Sequence, residues 1–248
     1  VPRLRCLPGG LIKLTRFEQI SAGIEIVRGN IETACARAGR PTSDVRLIAV
    51  SKKMPAADIA AAGAAGQIDF GENYAQELAA KASSPELAAF APRWHFLGGL
   101  QSRKVREILP FVTSIHSVDR DSVIDELEKR AVESRPIDVY LEVNVGDESQ
   151  KSGAAPGDAG RLCRRLLAIP GIRLQGLMCI PPVMDNPEDS RPYFAALRML
   201  RDRLRAEISP PDGLLSGLSM GMTADYAVAI AEGATVVRVG TAIFGARQ

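Results

Sequence analysis

Two lysines, Lys52 and Lys53, close the apolar run Val45-Arg46-Leu47-Ile48-Ala49-Val50-Ser51, and near the other end of the chain Gly240 and Thr241 follow a second such run ending at Val239. A primary amine at the end of a buried strand attacks carbonyl carbons once burial and neighbouring cations lower its pKa and free its lone pair. A glycine followed by a hydroxyl residue after a strand lets backbone N–H groups approach an oxyanion, with the hydroxyl as a further donor. Ser219-Met220-Gly221-Met222-Thr223 is a second loop of this kind. Amine and cradle together point to capture of a phosphorylated aldehyde as a Schiff base. Successive strand residues face opposite ways, so at most one of Lys52 and Lys53 can serve. Both faces of the run are apolar, so parity does not choose, and a surface lysine is the other reading of each.

The elements that must position these groups alternate. Strands are predicted at Arg46–Ser51, Gln67–Phe70, Trp94–Leu97, Ser114–Val118, Asp138–Asn144, Arg173–Cys179, Leu214–Leu218 and Thr235–Val239, with helical stretches between them, among them Tyr74–Ala82, Arg120–Ser134 and Thr223–Glu232. Eight strand-helix units in one domain favour parallel strands, right-handed crossovers and a closed (β/α)8 barrel, in which functional groups gather at the C-terminal strand ends and phosphates sit after strands seven and eight. A closed sheet makes Lys52 and Gly240 neighbours. An additional helix, Phe17–Ala38, precedes the first strand, with Ile20, Ile24, Val27, Ile31 and Cys35 along one face and Gly39 at its end. The sequence leaves open whether this helix covers the barrel floor or lies against its side. Residues 1–16 read as an extension outside the domain, and residues 17–248 as the barrel.

Composition narrows the choice of function. The chain has 248 residues, 46% of them apolar, and a net charge of +2 spread along its length, which suits one α/β barrel and lacks the basic stripe of a nucleic-acid surface. The four cysteines have no metal-type spacing and fit a reducing cytoplasm as small apolar residues. With only His95 and His116 present, a histidine-rich metal site is excluded, and both histidines read as structural or hydrogen-bonding groups. No apolar stretch approaches the roughly 20 residues that span a bilayer.

Several motifs carry a resemblance. Leu47 to Pro55, Phe70-Gly71-Glu72-Asn73-Tyr74-Ala75-Gln76-Glu77, Trp94-His95-Phe96-Leu97-Gly98 with Leu100, Gln101 and Lys104, then Glu148, Lys151, Ser152 and Gly153, Gly176-Leu177-Met178, Leu218 to Met222 and Arg238 to Gly245 occur in one order from Phe17 onward. The chain resembles the pyridoxal phosphate homeostasis protein family, departing from its common residues at Gly99 and Arg103. The resemblance implies a single barrel of the alanine racemase N-terminal type carrying pyridoxal 5'-phosphate (PLP) on Lys52. It further implies Ser219, Met220, Gly240 and Thr241 around the phosphate, Asn73 near the ring and Arg238 facing the pyridine nitrogen.

The same residues have plainer readings. Arg238 could pair with a barrel carboxylate, Asn73 could cap the helix beginning near Tyr74, and Glu142 could face the interior or lie solvated at the rim. Asp225 and Tyr226 read as helix-surface or packing residues, and Lys151 as a loop charge or part of a cover over the site. A cationic guanidinium at the pyridine nitrogen disfavours its protonation and weakens the ring as an electron sink. Racemases of the related fold add a second, β-rich domain with a tyrosine base, and here the chain stops at Gln248. The expected function is therefore binding, buffering and delivery of PLP with little catalysis, by a cytoplasmic monomer with apo PLP-dependent enzymes as recipients and no nucleic-acid or membrane partner. The alternatives are a racemase-like PLP enzyme and a phosphosugar enzyme without PLP.

Overall fold

The structure, a computed structural model, describes residues 14–146 and 152–245. Eight parallel strands close in sequence order: β1 (Arg46–Val50), β2 (Asp69–Glu72), β3 (Arg93–Phe96), β4 (Val112–Val118), β5 (Ile137–Glu142), β6 (Ile172–Met178), β7 (Gly217–Ser219) and β8 (Val236–Val239). Closure runs through β8 and β1, with Ile48 opposite Arg238 and Ala49 opposite Val239. The outer layer contains α1 (Arg16–Arg37), α2 (Ala56–Ala64), α3 (Ala75–Ala82), α4 (Pro85–Ala88), α5 (Val105–Ile108), α6 (Asp121–Glu128), α7 (Ala159–Leu167), α8 (Arg191–Ile208), α9 (Tyr226–Ala231) and α10 (Thr241–Phe244).

Strand alternation divides the side chains into two cores. The outward-facing set, including Ala49, Phe70, Trp94, Ile115, Val139, Leu174, Val237 and Val239, packs against the helices in one large cluster. The inward-facing apolar set is small: Ile48, Leu97, Tyr140, Met178 and Val236, with Val50 against them. Polar side chains fill the rest of the interior, and they form the site described below.

The predicted and observed strands differ most at β2 and at β7, which begins at Gly217 instead of Leu214. At β2 the expected strand ends at Phe70, and the observed one is Asp69–Glu72. Gly71 and Glu72 pair with His95 and Phe96 of β3, and only glycine fits at 71, where a Cβ would lie 2.4 Å from Leu97 Cδ1 and 2.9 Å from Ile48 Cγ2. The helix expected over Arg120–Ser134 is shorter, Asp121–Glu128. Asn73 is not the cap of α3; Tyr74 occupies that position without a side-chain hydrogen bond.

The preceding helix lies on the side of the barrel. Thr15 and Glu18 form a capping box at its start, and Gly39 follows it in the left-handed region at φ +65°. Its buried stripe packs against α2, α9 and α10. The approach to α10 is close, because a Cβ on Gly23 would sit 2.8 Å from the carbonyl oxygens of Ala242 and Ile243. Arg16 adds a paired hydrogen bond to Asp58 in α2 and a 3.0 Å bond to the Phe244 carbonyl. Of the extension expected over residues 1–16, residues 1–13 lie outside the described residues.

Two glycines separate tight packing from chain entropy. A Cβ on Gly176 would fall 1.9 Å from the Gly217 carbonyl oxygen of the adjoining strand, whereas one on Gly29, within α1, meets nothing within 4 Å. Gly176→Ala is expected to destabilise the fold by about 3 kcal/mol or more through overpacking. Gly29→Ala is expected to stabilise it by about 0.5–1 kcal/mol. Urea unfolding of both variants checks the pair.

Candidate active site at the barrel mouth

Every residue singled out in the sequence for amine or phosphate chemistry lies at the C-terminal ends of β7, β8, β1 and β2, or one turn beyond. In the closed barrel these four strands are contiguous. Arg46, Ile48 and Val50 alternate toward the interior, and Lys52 follows two residues after Val50, in the turn beyond the end of β1. Lys52 is half-buried, and Lys53 is exposed. Between them the chain turns: Met54 N–H donates to the Ser51 carbonyl at 2.9 Å, and Lys53 adopts φ +63°. The two lysines that parity left equivalent thus differ in exposure, and Lys53 alone takes a left-handed backbone.

The loops after β7 and β8 meet. Thr241 Oγ1 donates to Thr223 Oγ1 at 3.2 Å, and Met222 N–H donates to Asp225 Oδ1 at 2.6 Å. Gly221, at φ +92°, has its Cβ position 2.6 Å from Ala229 Cβ, so only glycine fits between the loop and α9. A Cβ on Gly240 would stand 3.2 Å from the Val50 carbonyl oxygen, which places this loop against the residue two before Lys52. Thr223, expected both in the second loop and at the start of a helix, lies in the loop before α9, where its hydroxyl meets Thr241. Met220 is buried in the outer core beneath it. Asn73 is half-buried after β2, its carbonyl so near Gly98 that a Cβ there would come within 2.1 Å.

Arg238 is 4% exposed and points inward. It donates through Nη1 to Ser219 Oγ at 2.8 Å and through Nη2 to the Cys179 carbonyl at 2.9 Å. The Ser219 hydroxyl is thereby engaged inside the barrel, where it also meets His116 Nδ1 at 2.8 Å. His116 Nε2 lies 3.1 Å from His95 Nδ1, and His95 Nε2 lies 2.9 Å from Asp69 Oδ1. Arg93 closes the row with a 2.7 Å bond to Asp69 Oδ2.

The proton positions in this row follow from its ends. A guanidinium only donates and a carboxylate only accepts. Ser219 must therefore donate to His116 Nδ1, His116 Nε2–H to His95 Nδ1, and His95 Nε2–H to Asp69. Both imidazoles are neutral in this arrangement. Burial lowers the pKa of each, and His116 falls furthest, with His95 and Arg238 adding to the effect. Burial pushes the Asp69 carboxyl up, but the His95 hydrogen bond and Arg93 outweigh it and leave it below the ordinary carboxylate range. The row was not foreseen, although a histidine on each of two adjacent inward-facing strand positions was the available signal.

Glu142 also faces inward and is 5% exposed, which settles its two readings in favour of the interior. Burial, then Asp119, raises its pKa to about 7 against the pull of Arg238 and Arg120. Tyr226 and Asp225 are buried rather than on the helix surface. Burial pushes the Cys163 and Cys179 thiols up to about 12, which leaves them unreactive. Glu148 and Lys151 lie outside the described residues.

The alanine racemase N-terminal domain family matches residues 24–248. The chain belongs to that family. It is 44% identical over 230 residues to the pyridoxal phosphate homeostasis protein of Pseudomonas aeruginosa, covering 92% of this chain and 96% of that one. It is also 43% identical over 219 residues to the protein of the same name from Aquifex aeolicus, covering 88% and 94%. PipY of Synechococcus elongatus, solved with PLP bound, superposes with a TM-score of 0.77 at 36% identity, covering 91% of this chain and all of that one. Within the family, then, the chain groups with the pyridoxal phosphate homeostasis proteins.

Two buried groups should give opposite pH signatures. Glu142 has a folded pKa above its unfolded value, so its contribution to stability is full below about pH 4 and is lost as pH rises toward about 7. His116 has a folded pKa below its unfolded value, so stability falls as pH drops beneath about 6.5. Relative to wild type, Glu142→Gln is expected to gain stability as pH rises from 5 to 7, and His116→Gln to gain it as pH falls from 6.5 to 5. Each slope is bounded at about 1.4 kcal/mol per pH unit, read from urea midpoints.

Proposed function

We propose that this protein binds pyridoxal 5'-phosphate at the barrel mouth, holds it covalently through Lys52, and buffers or delivers it with little catalysis of its own. The observation that carries the proposal is the convergence of a half-buried lysine, a fixed guanidinium and a glycine-lined double loop on four contiguous strand ends. Those donors fit the cofactor's three polar parts. Lys52 supplies the amine for the aldehyde, Arg238 addresses the pyridine nitrogen, and the loops with Met220, Gly240, Thr241 and the backbone of Ser219 take the phosphate. A Cβ at Gly240 would press on Val50 and push its loop away from β1. Asn73 stands beside the ring.

When bound, the cofactor supplies an aldehyde that condenses reversibly with primary amines. Arg238 cannot give up its proton at neutral pH, and its cation makes protonation of the facing nitrogen unfavourable. The ring then withdraws electrons poorly, which suits storage and handicaps carbanion chemistry. Thr241 and Thr223, already in contact, hold the two loops at one spacing. Recipients would be apo forms of PLP-dependent enzymes, and the working form a cytoplasmic monomer. No helix among the described residues is long and apolar enough to cross a membrane.

A racemase-like reading draws on one observation, the near-neutral carboxyl of Glu142 on the inner wall with Arg238. Polarimetry separates the two readings. The holoprotein given single-enantiomer amino acids is expected to produce no sustained change in rotation, and turnover abolished by Lys52→Ala would overturn the storage reading. Borohydride reduction with PLP present is expected to fix a pyridoxyl group on the wild type and on Lys53→Ala, and to leave Lys52→Ala unlabelled. Labelling lost in Lys53→Ala and retained in Lys52→Ala would show that the wrong lysine was chosen.

A further inference from the structure

Behind the barrel mouth, on the side away from the proposed ligand, lies a buried ionic cluster that the proposed function does not use. Glu72 is fully buried at the end of β2, and Lys81, 8% exposed, projects from α3. Lys81 Nζ makes three hydrogen bonds: to the Ser51 carbonyl at 2.7 Å, to Glu72 Oε1 at 2.7 Å and to Glu77 Oε1 at 2.6 Å. An ammonium has three protons, so each is committed and the group has one orientation. Ser51 Oγ donates to the same Glu72 oxygen at 2.6 Å. Glu77, one turn before Lys81 on α3, accepts in addition the backbone N–H of Lys53.

The backbone partners are what matter. The Ser51 carbonyl belongs to the peptide unit before Lys52, and the Lys53 N–H to the peptide unit after it. Two side chains of one helix therefore grip both peptide planes flanking a single Cα. The grip also maintains Lys53 in the left-handed region, where a residue with a Cβ rarely settles unaided. Buried ion pairs often do no better for stability than apolar residues of the same volume, so the cluster's geometry calls for another account.

We propose that Glu77 and Lys81 are positioning residues for Lys52, fixing the backbone on both sides of it so that its side chain, and not that of Lys53, enters the barrel mouth. The proposal rests on the reading of Lys52 as the amine that captures PLP. Neither Glu77 nor Lys81 touches the ligand in this arrangement; each acts through the turn Ser51 to Met54. Glu72 has the supporting part of orienting Lys81 and the Ser51 hydroxyl.

The test is timed borohydride trapping of the full chain with PLP, followed by peptide mass spectrometry that reads both rate and site of labelling. In the wild type, label is expected on Lys52 alone. In Glu77→Ala and in Lys81→Met, capture at Lys52 is expected to slow by about tenfold or more, as misplacement of a reacting group by about 1 Å commonly does, and label is expected to appear on Lys53. Glu77→Gln keeps an oxygen for the Lys53 N–H and is expected to stay within about threefold of wild type. In the ligand-free protein the Lys53 amide is expected to exchange its hydrogen about tenfold faster in Glu77→Ala than in wild type.

Glu77 is only half-buried on a helix for which alanine is a good residue, so Glu77→Ala decides the matter alone should Lys81→Met fail to fold. Folded variants that capture PLP at the wild-type rate and only on Lys52 would overturn the positioning role and leave the proposed function standing. Wild-type label anywhere other than Lys52 would remove the proposed function and this proposal together.

Discussion

The pairing of β8 with β1 is the constraint on which the site depends. It sets Ile48 opposite Arg238 and brings the Gly240 loop against the Val50 carbonyl, joining segments almost two hundred residues apart in the chain. Without closure the amine and the cradle would lie on opposite edges of an open sheet. The helix before β1 reinforces this seam from outside: its Gly23 lies against the backbone of α10, and Arg16 ties α2 to the end of α10. The two glycines at the seam thus have one purpose on different radii. Gly240 lets the loop reach β1, and Gly23 lets α1 reach the loop's helix.

Much of this was legible in the sequence because strand order in a barrel follows chain order. Eight apolar runs separated by helical stretches specify which strand ends are neighbours before any coordinate is known, and the motif order from Phe17 onward was consistent with that frame. Legibility failed where a single residue type has two uses. A glycine can end a strand or lie within one, and Gly71 lies within β2 paired with His95, where Leu97 and Ile48 leave no room for a Cβ. Asn73 resembles a cap, but its carbonyl packs against Gly98 and the helix starts after Tyr74.

A different kind of failure concerns the polar groups. Asp69, His95, His116, Ser219 and Arg238 come from five strands, and no local pattern links them. Each is an ordinary inward position on its own strand. The same holds behind the mouth, where Ser51, Glu72, Glu77 and Lys81 are drawn from β1's end, β2 and α3. Periodicity assigns a residue to a face, but hydrogen bonding between strands depends on register, and register includes the irregularities between β3 and β4 and between β4 and β5.

The inner row answers a question that any buried guanidinium raises. Removing a cation from water is expensive unless its donors are satisfied and a compensating field is present. No carboxylate among the described residues pairs directly with Arg238. Glu142, the carboxyl acting on it from the inner wall, is partly neutralised by its own burial near neutral pH. Asp225 also acts on the guanidinium, and the row that ends at Asp69 adds aligned dipoles: Ser219, His116 and His95 each present a lone pair toward Arg238 and a proton toward Asp69. Reversing any one of them would oppose two donors or two acceptors in a medium of low dielectric, where an unmade hydrogen bond forfeits the full desolvation penalty. The row therefore has one proton arrangement, and the guanidinium stays charged and oriented with no adjacent carboxylate among the described residues to compete with a ligand for its remaining N–H groups.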